Sequence, residues 1–268
     1  MAIKFSICTE MIFPELSSVE KLERIAAAGF QTVEFWDWKN KDLGMVSERC
    51  KALGLWISNM SGQRAGSLLD SNDLRVYSDE VTVSIGAAER LSCPNLMLLT
   101  NPLGPDGSVL NSYPDVPPRK KRQNCVRALS RLARLAGRHG IRLLLEPLNT
   151  RIDHPGYWLD DADLAFEIIK EVNHPNVLLL YDLYHMRAMG RDLLSDLEKN
   201  LDLIGYFHAA DFPGRHEPGT GTIDLPSILR LLGSLGYDGV VGFEFSPSST
   251  SDHALSRISA LVAQFVAP

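Results

Sequence analysis

Eight short apolar runs, each followed by a segment of helical period, divide this chain almost evenly, and that alternation leaves few folds open. The runs lie at Ile3–Cys8, Thr32–Phe35, Leu55–Asn59, Asn95–Leu99, Arg142–Glu146, Val177–Tyr181, Ile204–His208 and Val240–Phe245. A short run without polar alternation is what a parallel strand buried on both faces looks like. Helical patterns follow at Ser18–Ala28, Leu43–Leu53, Leu74–Leu91, Arg119–His139, Asp161–Val172, Asp192–Leu201, Leu225–Leu235 and Ser251–Val266. Ser17 or Ser18 is placed to cap the first helix and Gly29 to end it, while Gly54, Gly140 and Gly236 stand just past three others. Eight strand-then-helix units in 268 residues predict an α/β chain with a single (β/α)8 barrel domain over residues 1–268. A doubly wound open sheet ranks second, because neither G-x-G-x-x-G nor G-x-x-x-x-G-K-[ST] occurs.

Four of the runs end on ionisable groups: Glu146, Asp182, His208 and Glu244. Each falls where a strand leaves the sheet, the face on which α/β enzymes keep their sites. One such group alone reads equally well as a helix cap or half of an ion pair, and a lone His208 as a satisfied buried histidine. Four in register are different, because burying several carboxylates together without a cation is too costly to be a structural default. Three carboxylates and an imidazole form a mostly oxygen donor set suited to Mg²⁺, Mn²⁺ or Co²⁺. Glu146 and Glu244, on the fifth and eighth strands, are placed to face each other across such an ion as an acid/base pair. The long connections at 100–118, 150–160 and 211–222 follow strands, and loops of that length usually cover a site.

The rest of the composition narrows the partners. A formal charge of −6 argues against a general role on nucleic acid or an anionic membrane and favours a small-molecule partner. Cys8, Cys50, Cys93 and Cys125 lack C-x-x-C spacing and read as reduced thiols. The first residues lack a signal-peptide core and no apolar stretch approaches membrane-spanning length, so a cytoplasmic protein is expected. One helix pulls the other way: Arg127, Arg131, Arg134 and Arg138 share a stripe opposite Val126, Leu129, Ala133 and Ala136. In a net-acidic chain that stripe reads first as the solvated outer face of a barrel helix or a contact in a homo-oligomer.

The motifs Leu145-Glu146-Pro-Leu-Asn-Thr-Arg151, Asp182-Leu-Tyr-His185 and Arg215-His-Glu-Pro-Gly219 resemble the hydroxypyruvate isomerase family of xylose-isomerase-like TIM barrels. Glu10-Met-Ile-Phe-Pro-Glu-Leu and Val33-Glu34-Phe35 extend the resemblance over nearly the whole chain. It implies Glu146, Asp182, His208 and Glu244 as metal ligands, Glu146 and Glu244 as the acid/base pair, and His185 and Arg215 as substrate contacts. His208 departs from the Gln expected of the isomerases and agrees with the ketose 3-epimerases. Trp36-Asp-Trp38 departs as well; Trp36 is read either as an aromatic wall against the substrate or as a core residue. Arg151 and Arg215 are candidates to pair with a substrate carboxylate, the alternative for each being a loop salt bridge. Glu34 has no obvious metal role; it reads first as an internal ion pair, with orienting another site residue as the alternative. The expectation is a divalent-metal-dependent isomerase or epimerase acting on a small hydroxy-carbonyl compound of carbohydrate metabolism, hydroxypyruvate or a ketose. An apurinic-endonuclease-like nuclease and a non-catalytic sugar-binding barrel are its rivals.

Overall fold

In the computed structural model, which describes residues 3–265, eight parallel strands close into a barrel in strict chain order. The strands are β1 (Lys4–Cys8), β2 (Thr32–Phe35), β3 (Trp56–Ser61), β4 (Asn95–Leu98), β5 (Arg142–Leu145), β6 (Val177–Asp182), β7 (Ile204–Ala209) and β8 (Val240–Phe243). Between them run α1 (Ser18–Ala27), α2 (Leu43–Leu53), α3 (Leu74–Leu91), α4 (Pro118–Arg138), α5 (Ala162–Val172), α6 (Leu183–Ala188), α7 (Leu193–Asn200) and α8 (Leu225–Ser234). The last helix, α9 (Ser251–Val262), follows β8. Pairing of Lys4 with Val240 through Ile7 with Phe243 closes the ring. The expected boundaries hold within a few residues, the usual tolerance for element ends. The final helix stops at Val262, and Val266, its expected end, lies outside the described residues.

Local chemistry sets the helix ends. Ser17 makes a capping box with Glu20 at the start of α1, and the side chains of Asp42 and Asp161 accept backbone N–H groups at the starts of α2 and α5. Gly54 ends α2 at φ +66°, a left-handed conformation that glycine adopts without steric cost. The helix α6 was not foreseen. Six residues are too few to show a period, and its only sequence signal is Asp182, which ends β6 and accepts from the N–H groups of Tyr184 and His185.

Strand side chains alternate between two apolar layers. Val33, Phe35, Leu143, Leu145, Leu179, Tyr181 and Phe207 point outward into one continuous core with the buried helix faces. Met97, Leu144, Leu180, Tyr206 and Val240 point inward and form a separate cluster. Beside them the hydroxyl of Ser58 lies 2.9 Å from that of Ser6 and 2.7 Å from that of Tyr206, so polar atoms inside the barrel are satisfied in place. The basic stripe of α4 faces outward: its four arginines are exposed, while Leu129, Ala133 and Ala136 are buried. No described helix is long and apolar enough to cross a membrane.

One close approach in the wall ties the barrel to its mouth. Gly242 in β8 pairs with Ser6 and His208, and a Cβ there would lie 2.0 Å from Oε1 of Glu34 on β2. Gly242→Ala should therefore cost about 1–3 kcal/mol, the usual range for overpacking a core. Thermal unfolding reads this directly: a lower midpoint is expected, and an unchanged one would show that Glu34 has another place to go.

Candidate metal centre and active site

The inward register continues past the apolar layer to the C-terminal mouth. Two residues beyond Leu144, Leu180 and Tyr206 stand Glu146, Asp182 and His208, and Glu244 stands four beyond Val240. Side chains repeat every second residue along a strand, so these groups inherit the inward direction. Asp182 and His208 are register partners across β6 and β7. The backbone N–H groups of Glu146 and Glu244 still donate to neighbouring strands, to the carbonyls of Leu98 and Ala209, which fixes where each side chain starts.

The four residues bring one donor atom each within 4.8 Å of one another, and none is more than 4 % exposed. His208 Nδ1 lies 3.6 Å from carboxylate oxygens of both Glu146 and Glu244. That Nδ1 and Oδ2 of Asp182 are buried and have no hydrogen-bond partner. Two orphaned polar atoms aimed at one point among carboxylates fit a cation, which would satisfy both. Glu34 and Asn59 stand behind them. His208 Nε2 is 3.1 Å from Glu34 Oε2, and the Asn59 amide donates to the same oxygen at 3.3 Å. A carboxylate on one ring nitrogen holds the other free to bind metal, the usual arrangement behind a ligating histidine.

Burial pushes Glu146 up to about 7 and also raises Asp182. Glu244 is equally buried, yet the charges of His208 and Arg215 and the indole N–H of Trp36 hold it below the ordinary carboxylate range. Burial disfavours the charged form of His208, but Glu244, Glu34 and Glu146 outweigh it and raise the imidazole well above its usual value. Two carboxylates facing one cavity are thus driven apart, a pattern that assigns acid and base roles in proton-transfer sites.

A cavity of about 300 Å³ opens above the four residues, walled by the long loops: Leu103 to Gly107 after β4, Asp153 and His154 after β5, and Arg215 after β7. Trp36, His185 and Arg215 line it. Trp36 is half-buried and donates its indole N–H to Glu244, whereas Trp38 packs against the core and donates to Ser84. Arg215 hydrogen-bonds Glu244 and lies 3.7 Å from Asp182 Oδ2. His185 is buried, which holds it well below the usual imidazole range, so it is neutral. Asn149 fixes its tautomer. The Oδ1 of Asn149 accepts from the N–H groups of Ile152 and Asp153, so its amide nitrogen must face His185 Nδ1 at 2.7 Å, leaving the proton on Nε2.

Arg151 corrects an expectation. It is exposed, absent from the cavity wall, and donates to the carbonyl of Ala188 at 3.3 Å, because its loop turns outward over the end of α6. Conversely, Arg64 after β3 lines the cavity and was not foreseen; a lone arginine beyond a strand end carries no sequence signal.

A closed parallel barrel whose inward residues gather three carboxylates and an imidazole at the C-terminal mouth defines a (β/α)8 enzyme with a candidate metal centre. Residues 22–261 match the xylose isomerase-like TIM barrel, and the chain belongs to that family. It is 29 % identical over 263 residues to a putative hydroxypyruvate isomerase of Streptomyces coelicolor, covering 91 % of each chain. It is 27 % identical over 266 residues to the hydroxypyruvate isomerase of Escherichia coli, covering 94 % of this chain and 97 % of that one. A crystal structure described as AP endonuclease, family 2, from Brucella melitensis superposes with a TM-score of 0.88 at 27 % identity over the whole of both chains. The chain is an enzyme of the isomerase class.

Ligating carboxylates must be ionised, and protons compete with metal for any that are not. Glu146, held up to about 7, is charged above that pH and protonated below it. Apparent Mn²⁺ affinity should therefore rise as pH increases through 7 and fall by up to about tenfold per unit below it. Titration calorimetry in buffers of different ionisation heat checks this; an affinity flat between pH 6 and 8 would remove Glu146 from the ligand set.

Proposed function

We propose that this isomerase is divalent-metal-dependent and interconverts small hydroxy-carbonyl compounds of the hydroxypyruvate and tartronate semialdehyde type, by proton transfer between Glu146 and Glu244. The observation that carries the reading is the four-residue cluster, in which those two carboxylates share one focus while their proton affinities are driven in opposite directions. Glu146, Asp182, His208 and Glu244 would hold the ion, which when bound supplies a Lewis acid for the carbonyl and hydroxyl oxygens of the substrate.

The residues divide the remaining work. Glu244, kept ionised by its neighbours, accepts the proton from the carbon beside the carbonyl as that C–H bond breaks, leaving an enediolate. Glu146, the more readily protonated of the two, delivers a proton to the adjacent carbon while the enediolate's remaining hydroxyl proton passes to the former carbonyl oxygen; proton exchange with water then resets both carboxylates, and the direction reverses for the reverse reaction. Neutral His185 presents its Nε2–H as a donor for developing negative charge on oxygen, and Arg215 secures the position of Glu244. Trp36 and the loops restrict the volume above the site, and a cavity near the lower end of the usual range for ligand pockets suits a three- or four-carbon substrate.

A ketose 3-epimerase is the second reading, favoured by one observation, the imidazole at position 208. The same two carboxylates would then work on opposite faces of a single carbon. Among the described residues one group of four candidate ligands forms, and the basic stripe of α4 lies outside the barrel while those ligands converge inside its mouth, so neither feature favours a nuclease. A non-catalytic barrel gives no reason for the orphaned ligand atoms.

Glu146→Gln and Glu244→Gln each keep size and one oxygen ligand while removing the proton acceptor. Each should lower kcat at least about 10²-fold, with a smaller effect on Mn²⁺ content. Near-normal turnover in both variants would exclude the two-carboxylate mechanism. Turnover in D₂O that places deuterium beside the carbonyl of a three-carbon acid would support the first reading; product inverted at C3 of a ketose would select the second.

A further inference from the structure

The cations lining the cavity are unequal. Arg215 is already engaged by Glu244 and faces Asp182, so its charge is spent on the metal-binding carboxylates. Arg64 also lines the cavity, is half-buried, and among the described residues its guanidinium makes neither an ion pair nor a hydrogen bond. The nearby carboxylate of Glu80 is occupied otherwise: it binds Lys39 Nζ at 2.6 and 2.7 Å and accepts from the backbone N–H of Arg64 at 3.2 Å.

The turn that carries Arg64 is fixed on both sides. Gln63 exchanges side-chain hydrogen bonds with both backbone groups of Leu99, at 3.3 and 3.4 Å. The N–H of Gly62 donates to Met97, and a Cβ there would come within 2.6 Å of Leu98. Gly66, at φ +75°, lies against the backbone of Tyr77, where a Cβ would meet the amide nitrogen at 2.5 Å. Ser67 closes the turn by donating to the carbonyl of Thr100. A planar guanidinium on an immobile base, facing a cavity and lacking an anion, is preorganised to receive one bidentately.

We propose that Arg64 is the carboxylate-binding residue of this site, so that the substrate lies with its hydroxy-carbonyl end at Glu146, Asp182, His208 and Glu244 and its carboxylate against Arg64. This rests on the reading of the site as a hydroxy-carbonyl isomerase and narrows it to acids over neutral ketoses. It also assigns to Arg64 the carboxylate contact that Arg151, turned outward, does not make.

The test separates binding from turnover. Tartronate, a hydroxy-dicarboxylate, is titrated into the Mn²⁺-loaded wild type, Arg64→Gln and Arg64→Lys, with Mn²⁺ content and thermal midpoint measured for each. Arg64→Gln should weaken tartronate binding at least about tenfold, within the range for a hydrogen bond to a charged group, with metal content and midpoint held. Arg64→Lys, with a point charge but no fork, should fall between. Equal affinity in wild type and Arg64→Gln, or no tartronate binding by wild type, overturns the assignment whatever the enzyme turns over. Failure of the broader reading shows separately, as wild type that binds tartronate through Arg64 yet isomerises no hydroxy-oxo acid.

Discussion

Everything at the mouth of this barrel depends on one electrostatic constraint: Glu146, Asp182 and Glu244 are buried around a single focus with Glu34 behind it, and the guanidinium of Arg215 reaches only Glu244 and Asp182. Isolated buried carboxylates are unstable enough that they protonate, pair or bind metal. Here the first two responses are visible. Glu146 and Asp182 are pushed toward protonation, Glu244 and Glu34 find cationic or donor partners, and Asp182 Oδ2 and His208 Nδ1 have no hydrogen-bond partner.

The barrel supplies the geometry at little local strain. Inward-pointing positions recur every second residue, so the strands that bury Leu144, Leu180 and Tyr206 in the interior must present their next inward residue at the mouth. The apolar layer beneath also excludes water from below, which strengthens every charge interaction above it. The loops add the upper wall, and their positions are tied to the strands: Tyr157 donates to the carbonyl of Glu146 and accepts from the N–H of Thr100, joining the loops after β4 and β5.

Much of this was legible in the sequence. The alternation of apolar runs and helical patterns predicted the barrel because a strand buried on both faces leaves no other trace. The four candidate ligands were visible because an ionisable residue ending such a run has nowhere apolar to go. Glu34 and Trp36 obey the same alternation, being inward between Val33 and Phe35 and beyond, and Glu34 lies against His208 Nε2. What failed to show depends on loops. Arg151 and Arg64 each follow a strand by a few residues, yet one turns outward and the other inward, a choice accompanied by side-chain hydrogen bonds to the distant backbone carbonyls of Ala188 and Leu99 that no local pattern encodes. The helix α6 was too short for periodicity, although it places His185 beside the ligands.

The account stands most directly on where a divalent ion binds. Crystals grown with Mn²⁺ and measured for anomalous scattering should show one strong peak inside the barrel mouth. It should be ligated by Glu146, Asp182, His208 Nδ1 and Glu244 at roughly 2.0–2.4 Å, with Glu34 retained on Nε2. A peak elsewhere, or a mouth that stays free of Mn²⁺ at neutral pH and saturating concentration, would contradict it.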